Sequence, residues 1–457
     1  MINLETLANF FWRLEEKYNL IVYEIDGIKV WQYQRFRIFT ELAQAVGLYK
    51  RAHTKKTGFK DLLKASPSLF YYSIISNPLS GSYEKDMLIF NTGRKVNVDG
   101  KLIDIYTKYF IEEEKLENYE IIEELHENIH LTHERENRKH QDYQQIRTIV
   151  KSYFSSFRFN EGESGFIRQI NNEINDELKI DFNLFHLLRL AYLYFKFDFE
   201  FYVKLLKKRK PQKIIIVCAY TFKKALVAAA KNCNVESIEL QHGTIDRFHM
   251  GYSYPKHQEI DYFPDKMYVF GQYWKDHIRL PLKDENIIIK GFPYFNAISK
   301  KYFQQNKTKN QIAILSQGTI GLRISELFTK SANLFKSYTV KYKLHPGEYA
   351  RWESDYQDLV NIGKYSNVEI IDNNETNLYE YLSKSEYVVG VYSTAVYEAL
   401  AFGCKVILLD LPGVEYMSEL IQNKYVGFAK DFLEVHEQIE KNSFKDFPVD
   451  YFFKKPN

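Results

Sequence analysis

The fold is decided by residues 213–240, which read KIIIVCAYTFKKALVAAAKNCNVESIEL. Two short apolar runs, 214–217 and 237–240, flank a segment at 222–231 whose apolar residues recur at helical spacing. A strand, a helix and a second strand in this order predict a parallel β-sheet, because parallel strands need a crossover connection that is usually a helix.

The same alternation continues on both sides of a polar, lysine-rich linker at 300–310. Before the linker we expect further strands at 267–271 and 287–289. After it we expect five buried strands separated by helices, at 312–315, 340–344, 368–371, 387–391 and 406–409. The predicted fold class is α/β, with two Rossmann-like, doubly wound domains facing a cleft and a helix-rich N-terminal elaboration.

The predicted domains are residues 1–298 and 299–457, the first divided into a helix-rich part at 1–205 and an α/β part at 206–298. Within the helix-rich part, Asp26-Gly27 between apolar runs predicts a β-hairpin. The mixed charges at 112–138 predict a solvated helical face.

Composition limits the function classes. A net charge of +3 over 457 residues gives no overall field that would attract nucleic acid, so we expect no nucleic-acid partner. Three scattered cysteines, Cys218, Cys233 and Cys404, fit neither a disulfide framework nor a zinc site. No stretch has the uninterrupted apolar length of a membrane span, and the first residues do not resemble a signal peptide. We expect a cytoplasmic protein.

A basic cluster closes the aromatic, helical segment at 181–210. Its members are Lys204, Lys207, Lys208, Arg209 and Lys210. Basic residues complement the C-terminal dipole of a helix, which makes a solvated helix end one interpretation. The other is peripheral contact with anionic lipid at the inner face of the cytoplasmic membrane, since aromatic residues precede the cluster.

The best specified motif is Tyr392-Ser393-Thr394, between an apolar strand and an apolar helix. Ser393 is placed to cap that helix, and with Thr394 it offers hydroxyl and backbone N–H groups to an anion such as phosphate. Glu398 lies one turn after Thr394 on the same face, where it can bond a ribose hydroxyl. The alternatives are a Ser393 that only caps the helix and a solvated Glu398.

Two further loops complete the candidate donor site. His345-Pro346 follows a predicted strand, and a histidine there can donate to a phosphate oxygen. Ser316-Gln317-Gly318-Thr319 is a glycine-containing turn between a strand and a helix, able to offer backbone N–H groups to a diphosphate. This turn lacks the lysine of a P-loop and the spacing of a dinucleotide fingerprint.

The candidate catalytic loop is Gln241-His242-Gly243-Thr244, directly after the strand at 237–240. Gly243 permits close approach of the backbone. His242 suits a general base that deprotonates an acceptor hydroxyl, with Asp246 as an alternative base or an orienting carboxylate. The other interpretation is a histidine that only bonds its own loop. No Asp-x-Asp stands at a strand end, so we expect no metal and no cofactor.

Three motifs together resemble those of bacterial GT-B glycosyltransferases of capsule, lipopolysaccharide and teichoic-acid assembly. They are His242-Gly243-Thr244, His345-Pro346 and the run Ser393-Thr394-x-x-x-Glu398-Ala399-Leu400. The similarity covers about residues 211–425 and is closest to capsule Kdo transferases, His-Pro-motif sialyltransferases and CDP-glycerol glycerophosphotransferases. The Asp/Glu-Asp/Glu-Gly motif that supplies the base in the sialyltransferases is missing from the first α/β unit.

The resemblance implies a donor phosphate bound by His345, Ser393 and Thr394 in the C-terminal domain, and an acceptor bound by the N-terminal domain. His242 matches the essential histidine of the glycerophosphotransferases. The first hypothesis is a transferase that moves an acidic sugar from a CMP-sugar to a cell-surface glycan or lipid-linked acceptor, without metal. The alternatives are a CDP-polyol transferase, a non-hydrolysing nucleotide-sugar epimerase and a non-catalytic scaffold.

Overall fold

A computed structural model describes most of the chain. The described residues are 2–48, 59–81, 83–93, 95–98, 100–125, 130–131, 137–255, 259–303 and 305–455. Side chains are described from residue 67 onward in the helix that begins at Phe59. The chain divides between Pro293 and Tyr294 into two compact units, apart from the segment Asn97–Lys101, which groups with the second unit.

The first unit is built on a parallel seven-stranded sheet in the order β5-β4-β1-β6-β7-β8-β9. Ile89 of β1 stands between Ile121 of β4 and Ile215 of β6, and these side chains belong to one buried apolar cluster. The strands are β1 (Met87–Phe90), β4 (Tyr119–Glu123), β5 (Arg138–His140), β6 (Lys213–Val217), β7 (Glu236–Leu240), β8 (Lys266–Val269) and β9 (Ile287–Ile289), with β2 (Val96–Val98) and β3 (Lys101–Ile103) outside this sheet.

Helices dominate the first part of the chain and cover this sheet. They are α1 (Leu4–Lys17), α2 (Val30–Ala45), α3 (Phe59–Ile75), α4 (Thr107–Glu113), α5 (Asp142–Tyr153), α6 (Glu161–Leu178), α7 (Leu184–Arg209), α8 (Lys224–Asn232) and α9 (Gln272–His277). Among the described residues, no helix combines the length and the apolar character needed to cross a lipid bilayer.

The second unit is built on a parallel six-stranded sheet in the order β12-β11-β10-β13-β14-β15. Its strands are β10 (Thr308–Leu315), β11 (Thr339–Lys343), β12 (Val368–Ile371), β13 (Ser385–Gly390), β14 (Lys405–Leu409) and β15 (Gly427–Ala429). Its helices are α10 (Pro293–Ile298), α11 (Gly321–Ser331), α12 (Trp352–Asp355), α13 (Gln357–Ile362), α14 (Leu378–Lys384), α15 (Thr394–Ala401), α16 (Ser418–Gln422), α17 (Phe432–Lys441) and α18 (Val449–Phe452). The two parallel sheets confirm the predicted α/β class with two Rossmann-like domains.

Two local predictions are wrong. The turn at Asp26-Gly27 forms with positive φ at both residues, but the pairing stops at Ile25 and Ile28 because α2 begins at Val30. Within 112–138, α4 ends at Glu113 and β4 is a buried strand. The two acids of β4, Glu120 and Glu123, are buried because each forms ion pairs inside the protein. Glu120 pairs with Arg209, and Glu123 pairs with Lys95 and Arg138. Residues 126–129 and 132–136 lie outside the described part.

The basic cluster at the end of α7 also differs from its prediction. The Arg209 guanidinium is completely buried, with Nε 2.9 Å from Glu120 Oε2 and Nη2 donating to the carbonyls of Pro78 and Ser80 at 2.8 and 2.6 Å. Arg209 therefore cannot contact a membrane. Of the aromatic residues in the segment before the cluster, Tyr192, Phe195 and Phe201 are buried, and Tyr194, Phe197 and Phe199 are partly exposed. Lys204, Lys207, Lys208 and Lys210 are exposed.

Replacing Arg209 tests this interior role. Arg209→Met leaves the buried Glu120 carboxylate without its cation, and we expect the free energy of unfolding to fall by about 3 to 5 kcal/mol in urea titrations. The neighbouring Lys210 pairs with Glu84 at the surface, so Lys210→Met should leave the unfolding midpoint unchanged. Equal effects from the two changes would contradict the interior assignment of Arg209.

Candidate functional site

The loops predicted to bind the donor lie at one edge of the second sheet. They follow β10, β11 and β13, which are neighbours in the strand order, and parallel strands end on the same side of a sheet. The order also reverses next to β10, since the chain places β11 and β12 on one side of it and β13 to β15 on the other. Such a reversal opens a crevice at the carboxyl ends of the strands, where ligands bind in open α/β sheets.

Gln317 joins the first of these loops to the third. Its side-chain amide donates to the Tyr392 carbonyl and accepts from the Tyr392 N–H at 3.4 Å, so both backbone groups of Tyr392 are matched. The hydroxyls of Thr319 and Tyr392 lie 3.4 Å apart. Gly413, with φ +100°, packs against the Tyr392 ring. A Cβ at residue 413 would lie 2.1 Å from Tyr392 Cε1. Tyr392 therefore has a fixed position beside Gln317.

Glu348 joins the first loop to the second, and sequence reasoning missed its role. Its carboxylate is fully buried and accepts from the His345 N–H at 2.6 Å, the Ser316 hydroxyl at 2.9 Å and the Tyr356 hydroxyl at 2.7 Å. The signal was present in the chain, since an acid three residues after His345 completes a capping box at the turn that begins with Pro346.

Arg351, also missed, connects the same two loops through hydrogen bonds to their carbonyl groups. Its guanidinium donates to the carbonyls of Gly318 at 2.9 Å and Gly347 at 3.3 Å. Gly318 in turn lies against the His345 ring, because a Cβ at residue 318 would stand 3.1 Å from His345 Nδ1. We find no signal in the sequence that separates Arg351 from other exposed basic residues.

The His345 ring has a defined tautomer. Nδ1 accepts from the Gly347 N–H at 3.0 Å, so it carries no proton and the proton of the neutral ring resides on Nε2. Nε2–H is therefore a hydrogen-bond donor at the carboxyl edge of the sheet. His345 and Pro346 are both exposed there. This donor is suited to an anionic oxygen.

Ser393 and Thr394 stand where α15 begins. Ser393 is the N-cap residue, with extended backbone, and its side chain makes no bond to the first turn of the helix. Both residues are partly exposed. The first N–H groups of the helix and the two hydroxyls thus form a polar end beside Tyr392, which Gln317 connects to the loop 316–319.

Glu398 does not match the solvated alternative offered for it. Its side chain is buried rather than solvated, and its carboxylate accepts from the Tyr379 hydroxyl at 2.8 Å. Burial raises the pKa of Glu398 to about 7, although the bond from Tyr379 acts in the opposite direction. The helix face that carries Glu398 packs inward because Val396, Tyr397 and Leu400 are also buried. The solvated alternative is therefore wrong, and a bond from Glu398 to a ribose hydroxyl stays a prediction.

In the first unit, the loop 241–244 leaves the carboxyl end of β7. Gln241 is buried and structural, since its amide accepts from the Phe270 N–H at 2.8 Å and donates to the Gly243 carbonyl at 2.9 Å. These bonds tie the ends of β7 and β8 together. His242, Gly243 and Thr244 are partly exposed beside it.

A buried carboxylate and two tyrosines surround His242. The Tyr252 hydroxyl lies 2.5 Å from Glu239 Oε1 and 3.3 Å from His242 Nδ1. The Tyr220 hydroxyl lies 3.3 Å from His242 Nε2. Because Glu239 Oε1 also accepts from the Ala219 N–H, it is an acceptor, so the Tyr252 proton points to it and the Tyr252 oxygen is left to accept from His242 Nδ1–H. Nε2 of His242 then carries the lone pair that a general base needs.

Glu239 is the third residue that sequence reasoning missed. It is the last residue but one of β7, completely buried, and its Oε1 also accepts from the Ala219 N–H at 2.9 Å. Burial raises the pKa of Glu239 to about 7, against the bonds from Tyr252 and Ala219. An acid within an apolar strand was the available signal. Tyr252 and Tyr220 gave none, because the chain is rich in tyrosine throughout.

Asp246 follows His242 in the same loop. Its carboxylate accepts from the Phe248 N–H at 2.6 Å, a bond within its own turn, and its role as a base or orienting group stays a prediction. Burial raises its pKa to about 7. His249 is unsuited to act as the base. Burial lowers its pKa to about 4, and its Nδ1 accepts from the Gly251 N–H at 3.3 Å.

The part of the chain with described coordinates contains no group of three or more His, Cys, Asp or Glu residues arranged to hold a metal ion. The three cysteines are unpaired by disulfides, and Cys404 is buried with its thiol near Lys307 Nζ at 3.1 Å.

The comparisons with known proteins give likenesses of fold. No family model matches the chain, and no curated protein matches it either. Solved structures that match include the Staphylococcus aureus MnaA–UDP complex, at 12% identity over 78% of this chain and 87% of that chain, with a TM-score of 0.45. UDP-GlcNAc 2-epimerase from Neisseria meningitidis, bound to UDP-GlcNAc, matches at 13% identity over 78% and 90%, with a TM-score of 0.44.

The wall teichoic acid polymerase TagF matches at 12% identity over 83% of this chain and 84% of that chain, with a TM-score of 0.42. Identities and scores at this level carry no argument about activity, so we argue the function from this chain's own residues. The class that the fold defines is an α/β protein with two Rossmann-like domains and polar loops at the carboxyl edge of each sheet.

Gly321 tests the Glu348 connection. A Cβ there would lie 1.7 Å from Glu348 Oε1 and 2.7 Å from Ser316 Oγ, so Gly321→Ala forces the carboxylate out of its bonds. We expect the free energy of unfolding to fall by roughly 1 to 3 kcal/mol, as for other overpacked sites. Gly165→Ala on α6, with no atom within 4 Å of the new methyl, should instead raise it by about 0.5 to 1 kcal/mol. Urea unfolding of both variants checks the difference in sign, and a stabilised Gly321→Ala would contradict the packing described.

Proposed function

We propose that this chain is a glycosyltransferase that moves a sugar from a nucleotide-sugar donor onto a cell-surface polysaccharide or lipopolysaccharide acceptor. The observation that carries the proposal is the connected set of loops in the second unit. Gln317, Glu348 and Arg351 hold Ser316–Thr319, His345 and Tyr392 together beside the start of α15. The His345 Nε2–H, the hydroxyls of Ser393 and Thr394 and the first N–H groups of α15 lie at this edge, and donors of this kind suit an anionic phosphate.

Each half of the proposed reaction has its own residues. The acceptor hydroxyl attacks the anomeric carbon of the donor sugar and loses its proton to His242 Nε2. The bond between that carbon and the phosphate oxygen breaks, and the nucleotide leaves with the electron pair. His345 Nε2–H and the N-terminal end of α15 stabilise the charge on the leaving phosphate, because they are held in place before the charge develops.

The finer parts of the proposal are a CMP-sugar as the donor, an acidic sugar and metal-independent transfer. They rest on the resemblance of the three motifs, as does an acceptor that is glycan or lipid-linked. A CDP-polyol donor would use the same phosphate-binding loops. An epimerase would use them too, but would act on its nucleotide sugar without any acceptor.

Nucleotide binding tests the donor side. His345→Ala removes one charge-assisted hydrogen bond, and we expect the affinity for CMP or CDP to fall roughly tenfold to a hundredfold in calorimetry. His186→Ala, which removes an exposed histidine from α7, should leave the affinity unchanged. A screen of CMP-sugars, CDP-glycerol and UDP-sugars then separates the hypotheses. Turnover without acceptor would establish an epimerase, and wild-type affinity in His345→Ala would refute the donor assignment.

A matched pair of tyrosine variants tests the base. Tyr252→Phe removes the hydroxyl that bonds Nδ1 of His242, so the ring loses the partner that sets its tautomer, and we expect kcat to fall roughly tenfold or more with little change in KM. Tyr220→Phe removes the hydroxyl at Nε2 and should leave kcat within about threefold, because the attacking hydroxyl takes that place. Steady-state kinetics on both variants give the comparison. Equal kcat values for the two variants would argue against the tautomer assignment.

A further inference from the structure

The helix α5 is amphipathic, but its polar face is buried and its apolar face is exposed, the opposite of a helix that covers a core. Its buried side chains are polar and include Gln144, Thr148 and Ser152. Gln144 and Thr148 both donate to Asp198 Oδ1 on α7, each at 2.5 Å. The opposite face is apolar and open to solvent, with Tyr153 at 82% and Phe154 at 79% exposure. An apolar face in water is unfavourable, and such a face marks a surface that another body covers.

A neighbouring helix extends this face. The helices α3 and α5 pack on each other, and Ser76, directly after α3, bonds His140 just before α5, with Ser76 Oγ 2.8 Å from His140 Nδ1. The α3 helix also exposes large apolar side chains. We name six exposed apolar residues, five on the two helices and Phe154 directly after α5, the α3–α5 surface: Phe70, Ile74, Ile149, Val150, Tyr153 and Phe154.

The charges that accompany the α3–α5 surface are mostly positive. Between residues 143 and 160 the chain has Arg147, Lys151 and Arg158 and no acid, and between residues 62 and 83 it has Lys64 and no acid. Glu200 on α7 pairs with Arg147 at 2.9 Å and with Lys151 at 3.1 Å, which leaves this group with a net positive charge.

Two further features add positive charge near the α3–α5 surface. The residues directly before α3 in the sequence, 50–58, hold four Lys or Arg and no acid. Lys208, which is exposed on α7, donates to the Leu79 carbonyl four residues after α3 ends. Aromatic and aliphatic side chains bordered by cations are complementary to a surface that is apolar inside and anionic outside. A bilayer with anionic headgroups has that structure.

We propose that the α3–α5 surface docks the protein onto an anionic lipid bilayer, with Tyr153 and Phe154 entering the headgroup region and the basic residues facing the lipid charges. The contact lies in the plane of the membrane. It differs from the contact predicted at the end of α7, where Arg209 is interior. It is also independent of the proposed transferase activity, because binding to lipid needs neither donor nor acceptor.

Vesicle co-sedimentation of the full chain tests the proposal. The probes are phosphatidylcholine vesicles alone and vesicles with about 30% phosphatidylglycerol. We expect binding to the anionic vesicles, weaker binding to the neutral ones, and release as the salt rises from about 0.1 M to about 0.5 M. The double variant Tyr153→Ser/Phe154→Ser should bind about tenfold more weakly or less, since it loses the apolar anchor.

Controls keep the test decisive. Leu433→Ser removes a half-exposed apolar residue from α17 and should bind the vesicles like the wild type. Arg158→Glu should weaken binding to the anionic vesicles only. Thermal melts of the variants should match the wild type, because the altered side chains are exposed. Wild-type vesicle binding by the double variant would overturn the proposal. A wild type that binds neither kind of vesicle would also overturn it. If the double variant then changes its oligomeric state, the surface is assigned to contact between copies.

Discussion

The candidate donor site depends on the hydrogen bonds of one buried carboxylate, that of Glu348. Three loops emerge from adjacent parallel strands, and nothing in the sheet itself fixes their positions beyond the last ladder bond. Glu348 bonds the backbone of the second loop and the Ser316 hydroxyl of the first, while Gln317 continues the connection to Tyr392 in the third. A buried carboxylate that lost these partners would be strongly destabilising, so the loops and the carboxylate hold each other in place.

The two candidate histidines show how neighbours assign opposite roles to one residue type. At His345 a backbone N–H points at Nδ1, which leaves the proton on Nε2 and makes that nitrogen a donor to anions. At His242 the Tyr252 oxygen accepts from Nδ1–H, which leaves a lone pair on Nε2 and makes that nitrogen an acceptor of protons. The first tautomer suits a leaving phosphate and the second suits an attacking hydroxyl.

In the helical part of the first unit, some ion pairs are buried and some apolar side chains are exposed. Arg209 with Glu120, and Arg35 with Glu15, are ion pairs closed off from solvent, each supported by backbone carbonyls. The outer face of α5 is apolar. Buried pairs of this kind are costly to break, and they fix the positions of α7 and α2. The apolar outer face adds no stability to the folded chain alone and is explained by a partner surface.

Much of the fold could be predicted from the sequence, because strand and helix periodicities are local properties. The strands at 214–217 and 237–240 and four of the five predicted after residue 310 lie within a residue or two of β6, β7 and their counterparts in the second sheet. The buried strand β4 could not be found in this way, because its charges are neutralised by Arg209, Lys95 and Arg138 from distant parts of the chain.

The sequence by itself determined the α/β class, the strand ends at which polar loops emerge, and the motifs that supply His242, His345 and Ser393. Only the tertiary structure decided which of the candidates meet. It turned Glu398 and Arg209 inward, kept Asp246 within its own turn, and brought Glu239 and Tyr252 to His242. The reason is physical: burial and hydrogen-bond partners depend on residues far apart in the chain, and a local pattern contains no information about them.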